Sequence, residues 1–256
     1  MRTSLAIIAL FVTGTAFADV PDLQTLRAQG PQALMQAVDA RHNHYPTQKW
    51  EFRMVVQAPG GTARQMEFNV WQKERRRLVR FTAPGELRGM SVLSKGDGPM
   101  WVYSQETGGQ ARLVATSARR QTLLGSDLTY NDMAQIDFSA DYTATFGDET
   151  TDYLWLQLTP IPDHDTGWDG LRLRLNKGHM MFDRIEYQSG GRAGLSVVKV
   201  QERSNFAVLD NAPVYQHVVV TTSATGHQTT VDMLSQRIGE EISNRVFTKR
   251  SLVRGN

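Results

Sequence analysis

Cysteine is absent from all 256 residues. No disulfide can staple this chain in an oxidising compartment, and no N-terminal cysteine can carry a lipid anchor. Long apolar runs are missing as well: Leu5 to Val12 is well short of the roughly 20 residues a membrane-spanning helix needs, and nothing later approaches that length. A strong charge of one sign is missing too. Lys and Arg number 28 against 26 Asp and Glu, a formal net charge of +2. No basic tail is present to recruit nucleic acid, which is therefore not an expected partner.

The short apolar run itself has a use. Arg2 precedes it and Ala16-Phe17-Ala18 follows it, the small-x-small pattern that signal peptidase cuts. Residues 1–18 read as an export signal cleaved after Ala18, which sends a chain starting at Asp19 to a bacterial periplasm. Removing them leaves 256 − 18 = 238 residues, a length that one all-β domain spanning 19–256 accommodates.

From Asp22 to His44 the apolar positions Leu23, Leu26, Leu34, Met35 and Val38 fit helical spacing, interrupted at Gly30-Pro31 and stopped before Pro46. Two short helices are expected. The period then changes to two: Trp50, Phe52, Met54 and Val56 alternate with Glu51, Arg53 and Gln57 before Ala58-Pro59-Gly60-Gly61 turns the chain. Met66, Phe68 and Val70 share one face of a second strand, and "RRRLVRF" forms a third. With the segments that follow, about a dozen short strands in all stand at roughly ten-residue spacing. The fold class is mainly β with a few helices: one large antiparallel sheet, built as a sandwich or an open or closed barrel. The C-terminal "IGEEISNRVFTKRSLVR" reads as a tail packed on the sheet edge.

Few residues invite chemistry. His42-Asn43-His44 has ligand-like spacing, and His164 lies beside Asp163 and Asp165, but a zinc site needs three or four donors converging from such segments. No metal or cofactor is implied. Ser126 beside Asp127 lacks the second glycine of a nucleophile elbow. Asp148-Glu149 and Glu240-Glu241 are adjacent pairs whose side chains diverge on a strand. No catalytic residue is expected. On a strand, Lys73, Arg75 and Arg77 share one face while Arg76 and Arg80 share the other, which reads as a charged strand edge that discourages edge pairing, the alternative being a rim that attracts anionic head groups or a partner's acidic patch.

The apolar set is more informative. Trp50, Phe52, Met54, Met66, Phe68, Val70, Met90, Val92, Trp101, Leu123, Leu124 and Met133 are bulky or flexible, as suits a surface that accepts variable apolar shapes. Residues 75–133 carry a resemblance through "APGELRGMSVLSK", "MWVYS" and "LLGSDLTYNDM". This stretch resembles the outer-membrane lipoprotein-sorting branch of the LolA/LolB-like superfamily. The resemblance implies an incomplete antiparallel β-barrel closed by short N-terminal and loop helices. It also implies an apolar cavity carrying a lipid or a lipidated protein's acyl chains across the periplasm. An inner-membrane transporter and transient membrane contact would be its partners; an accessory subunit of an envelope complex that binds protein without lipid is the alternative.

Within "RRQTLLGSDLTYNDM" (119–133), Gly125 can take positive φ, and Ser126 and Asp127 can cap one helical turn through Tyr130 to Met133. Leu123 and Leu124 are then expected to face inward at a cavity mouth, with Arg119 and Arg120 at its rim.

Overall fold

Alternation at period two carries most of the chain into one continuous sheet. The computed structural model describes residues 22–96, 98–106, 108–164 and 166–254, and the export signal expected at 1–18 lies outside them. Two helices come first, α1 (Leu23–Gln29) and α2 (Pro31–His42). Asp22 caps α1 by accepting from the backbone N–H groups of Gln24 and Thr25. Gly30, at φ +105°, divides the two helices, and Pro31 begins α2 at a position where no N–H donor is needed.

The strands are β1 (Thr47–Gln57), β2 (Arg64–Lys73), β3 (Arg76–Ala83), β4 (Ser91–Lys95), β5 (Trp101–Tyr103), β6 (Arg112–Leu113), β7 (Tyr142–Glu149), β8 (Tyr153–Pro160), β9 (Gly170–Asn176), β10 (Met181–Gly191), β11 (Gly194–Leu209), β12 (Ala212–Thr222) and β13 (Gln228–Ile238). Their order is β6-β5-β4-β3-β2-β1-β13-β12-β11-β10-β9-β8-β7. Neighbours pair antiparallel throughout, and β1 pairs β13, so the first strand lies beside the last. β6 and β7 are left as unpaired edges. The barrel is therefore incomplete, and the segment that joins those two edges, including α3 (Tyr130–Ala134), packs against the inner face.

The inner face holds two apolar clusters. In one, Leu34, Met35 and Val38 of α2 pack on the leucine rows of β8 and β9, where Leu154, Leu156 and Leu158 face Leu175, Leu173 and Leu171. In the other, Trp50, Met54, Met66, Phe68, Val70, Val79, Phe81 and Val92 meet Val220 and Val231, with Leu123 and Leu128 laid over them. The outer face of β3–β5 is apolar as well. There Leu78, Leu93 and Trp101 are covered by Ile242, Phe247 and Leu252, of which Leu252 comes from α4 (Lys249–Arg254). The C-terminal tail thus covers a face of the sheet, not its edge, because that face supplies more apolar area than an edge can.

The basic run departs from its expected role. β3 is an interior strand between β2 and β4. Arg80 donates to Ser91 Oγ (3.0 Å) and Ser251 O (2.7 Å), while Arg77 lies on the inner row with Val79 and Phe81. The charges there serve internal contacts and do not guard an exposed edge.

Candidate functional site

The inward row of β11 is polar where its neighbours are apolar. Lys199, Gln201 and Arg203 stand opposite Thr222, Val220 and Val218 of β12. They form a seam between the two apolar clusters. Arg77 of β3, His42 of α2 and Asp132 of α3 meet the seam from the other side.

Two cavities flank it. One, of about 160 Å³, lies against α2 and includes Asp39, Phe138, Tyr142 and Trp168. The other, of about 220 Å³, is walled by Trp50, Phe52, Phe68, Val70, Val79, Leu128, Met133, Val214, Tyr215, Val218, Val231 and Met233. His42, Arg77, Asp132, Met181, Gln201 and Arg203 line both. The second cavity is walled mostly by apolar side chains, with His42, Gln48, Arg77, Asp132, Gln201 and Arg203 among its lining.

The charges of the seam are unevenly matched. Asp132 takes Lys199 as a close, buried partner and also accepts from Trp168 Nε1 (3.1 Å). The Lys199 ammonium sits over the rings of Trp168 and Tyr187, 4.3 and 4.0 Å from their centroids. Arg77 and Arg203 meet neutral acceptors. Arg77 donates to Gln72 Oε1 (Nε, 3.2 Å), Met133 O (3.2 Å) and Gln135 O (2.7 Å). The Gln201 amide turns its oxygen toward Arg203, accepting from Nε at 2.8 Å and Nη2 at 3.0 Å, and its nitrogen toward Tyr187 Oη at 2.9 Å. Among the described residues no carboxylate lies within ion-pair distance of either guanidinium.

Burial sets the protonation here. Loss of hydration pushes Arg77 down to about 10, with Asp137 pulling it up and Arg203 adding repulsion. It pushes His42 down to about 3, with Arg203 and Arg77 adding repulsion. His42 is neutral, and its Nδ1 is shielded with no hydrogen-bond partner. Arg77 and Arg203 are half-buried residues, and both line the two cavities.

The segment 119–133 is built as a turned finger resting on the sheet. Leu124 (φ +54°) and Gly125 (φ +71°) are the two central residues of a turn closed by Ser126 N–H to Leu123 O (3.0 Å). Positive φ at both is the mark of a type I′ turn. Asp127 anchors the finger to the β12–β13 hairpin through Thr229 Oγ1 (2.7 Å), His227 Nδ1 (2.7 Å) and Thr222 Oγ1. The helical cap is Thr129, which forms a capping box with Asp132, and not Ser126 or Asp127 as expected. Ser126 donates to Leu123 O (2.7 Å) and Asp127 is an internal anchor, so both are spent on structure.

Of the twelve apolar residues singled out from the sequence, Trp50, Phe52, Met54, Met66, Phe68, Val70, Met90, Val92, Leu123, Leu124 and Met133 join the second inner cluster. Trp50, Phe52, Phe68, Val70 and Met133 line its cavity directly. Trp101 does not join them. It pairs with Leu93 on the opposite face and lies under the C-terminal helix. Arg119 lines a separate polar cleft of about 430 Å³ with Ser94, Gly98 and Asp141, and Arg120 packs near Gly167; neither lines the apolar cavity. His164 contacts Asp141 at 3.2 Å. Among the described residues no group of three His, Asp or Glu side chains converges as metal ligands would.

Sequence reasoning missed the half of the cavity contributed by β12 and β13, and it missed the seam. A signal for Arg77 was present: it continues the inward alternation of Phe81 and Val79.

An open antiparallel barrel, helices on its inner face and an apolar interior together define the LolA-like class of fold. Three solved structures share it. A DUF1329 family protein from Desulfovibrio piger has a TM-score of 0.78 at 20% identity, over 89% of this chain and 98% of that one. A domain described as an outer-membrane lipoprotein-sorting protein, from Vibrio parahaemolyticus, gives 0.76 at 18% over 89% and 99%. A LolA superfamily protein from Nitrosomonas europaea gives 0.72 at 19% over 86% and 98%. At these identities the likeness is one of fold. A family model described as "-like: Uncharacterized protein" matches residues 73–254, and the chain belongs to that family. No curated protein matches it.

Proposed function

We propose that the chain is a periplasmic carrier or chaperone that holds a lipid, or the acyl chains of a lipidated protein, inside its incomplete barrel. In this reading residues 1–18 direct export and 19–256 form one domain. Cargo is received from an inner-membrane transporter, with transient membrane contact, and passed toward the outer membrane. The observation that carries the reading is the cavity of about 220 Å³ walled by Trp50, Phe52, Phe68, Val218, Val231 and Met233. Each buried CH₂ is worth about 0.8 kcal/mol, so such a wall can compete with a bilayer for one chain. Release needs moderate affinity, which flexible Met133, Met181 and Met233 provide by repacking. The chemistry is binding alone.

Native mass spectrometry of gently purified protein, with organic extraction, tests this. Co-purifying lipid and saturable binding of a fluorescent fatty-acid probe are expected. Recovery of no lipid together with no probe binding would overturn the reading.

A further inference from the structure

We propose that the seam is a head-group site for a single-chain anionic amphiphile, with a fatty-acid carboxylate held between Arg77 and Arg203 and its chain running into the apolar cavity. The proposal rests on the carrier reading and adds the class of cargo.

The charge balance of the seam favours an anionic ligand. A cation taken out of water without a counter-charge is costly, and that cost is removed when an anion joins it. Lys199 has Asp132. Arg77 and Arg203 have only amide and carbonyl oxygens. The carboxylates whose fields reach them are engaged elsewhere: Asp183 by Arg174 (2.7 Å), Asp137 by Arg75 (3.5 Å) and Asp39 by Ser139 N–H (2.7 Å). Each guanidinium has five N–H donors, and the acceptors around these two leave some of them unused.

Geometry selects the head and the chain. Arg77 and Arg203 line the same cavity as the aromatic and aliphatic wall of Trp50, Phe52, Phe68 and Val218, so one ligand can meet both guanidiniums and that wall. A carboxylate is planar and accepts paired N–H donors, which matches a guanidinium fork. At about 220 Å³ the cavity is smaller than the roughly 300–1,000 Å³ of pockets that enclose drug-sized ligands. One chain suits it better than the two of a phospholipid.

The test is calorimetric titration of delipidated protein with palmitate, with hexadecanol, with acetate and with a dioleoyl phosphatidylglycerol dispersion. Palmitate is expected to bind at least about tenfold tighter than hexadecanol, a difference of about 1.4 kcal/mol, and acetate alone should show no binding. Arg203→Gln, with Arg77 still in place, should lower palmitate affinity by a larger factor than hexadecanol affinity, a cooperative thermal melt showing that the variant folds; an equal loss for both would overturn the head-group site. Equal affinity for palmitate and hexadecanol would overturn the head-group site and leave the carrier reading standing. Tighter binding of the two-chain lipid would overturn the single-chain assignment. Failure of every amphiphile would overturn both.

Discussion

Lys199 on β11 and Asp132 on α3 form an ion pair whose side chains are only 4% and 3% exposed. It ties the loop that spans the open edges to the inner face of the sheet. Removing one partner leaves the other charge buried and uncompensated, which costs roughly 3–5 kcal/mol. Lys199→Met is therefore expected to lower stability by that amount in urea unfolding. Asp132→Asn added to it should recover part of the loss, since the amide keeps an acceptor for Trp168 Nε1. A double variant as unstable as the two single losses added together would show that the pair is not coupled.

Gly125 offers a cleaner measurement. Its φ is +71°, and a Cβ placed there meets nothing within 4 Å. Gly125→Ala therefore changes backbone strain and little else. The left-handed region costs an L-residue roughly 1–2 kcal/mol, and chemical denaturation should return that value. A neutral result would mean that the turn relaxes.

The two N-terminal helices and the approximate number of strands were legible because period 3.6 gives way to period two along the chain. The open barrel was implied only by the family resemblance of residues 75–133, since periodicity alone fits a sandwich or a closed barrel equally well. The two faces of β3–β5 were not legible. Val79 and Val92 point inward while Leu78, Leu93 and Trp101 point outward, so both rows are apolar and alternation alone cannot say which meets the interior. The decision belongs to Phe247 and Leu252, some 150 residues away from Trp101 in the chain. Arg77 carries a mark in its alternation with Val79 and Phe81, but in sequence it reads with the other basic residues of 73–80 as part of a charged strand edge. Arg203, in "QERSN", was hidden because a single charge on a strand ordinarily faces water.

These two faces can be separated by experiment. Trp101→Ala removes a large side chain that is 8% exposed on the outer face, so it should cost roughly 3–5 kcal/mol of stability and leave fatty-acid probe affinity unchanged. Val218→Trp fills the inner cavity. Probe affinity is expected to fall at least about tenfold, near 1.4 kcal/mol, with the fold retained. Loss of probe binding in Trp101→Ala at temperatures where that variant is folded would place the binding surface on the wrong side of the sheet.

One turn apart on α2, Asp39 and His42 both line the smaller cavity and respond to pH in opposite directions. Burial raises Asp39 to about 6 from 3.8, so the folded state favours its protonated form and stability increases as pH falls from 6 to 3.8. Burial lowers His42 to about 3 from 6.5, so the folded state favours the neutral ring and stability is lost as pH falls from 6.5 toward 3. At 1.36 kcal/mol per pKa unit, the Asp39 gain is roughly 3 kcal/mol, and the His42 loss over the same window is of similar size. From these two groups the native chain should have a nearly flat contribution between about pH 6 and 4. Asp39→Asn removes the gain, so this variant should be stabilised at pH 7 and lose that advantage on acidification. His42→Gln removes the loss and should become relatively more stable as pH falls. Urea midpoints at pH 7, 6, 5 and 4 check both, and parallel profiles for the three proteins would show that neither group is shielded as its position in the cavity requires.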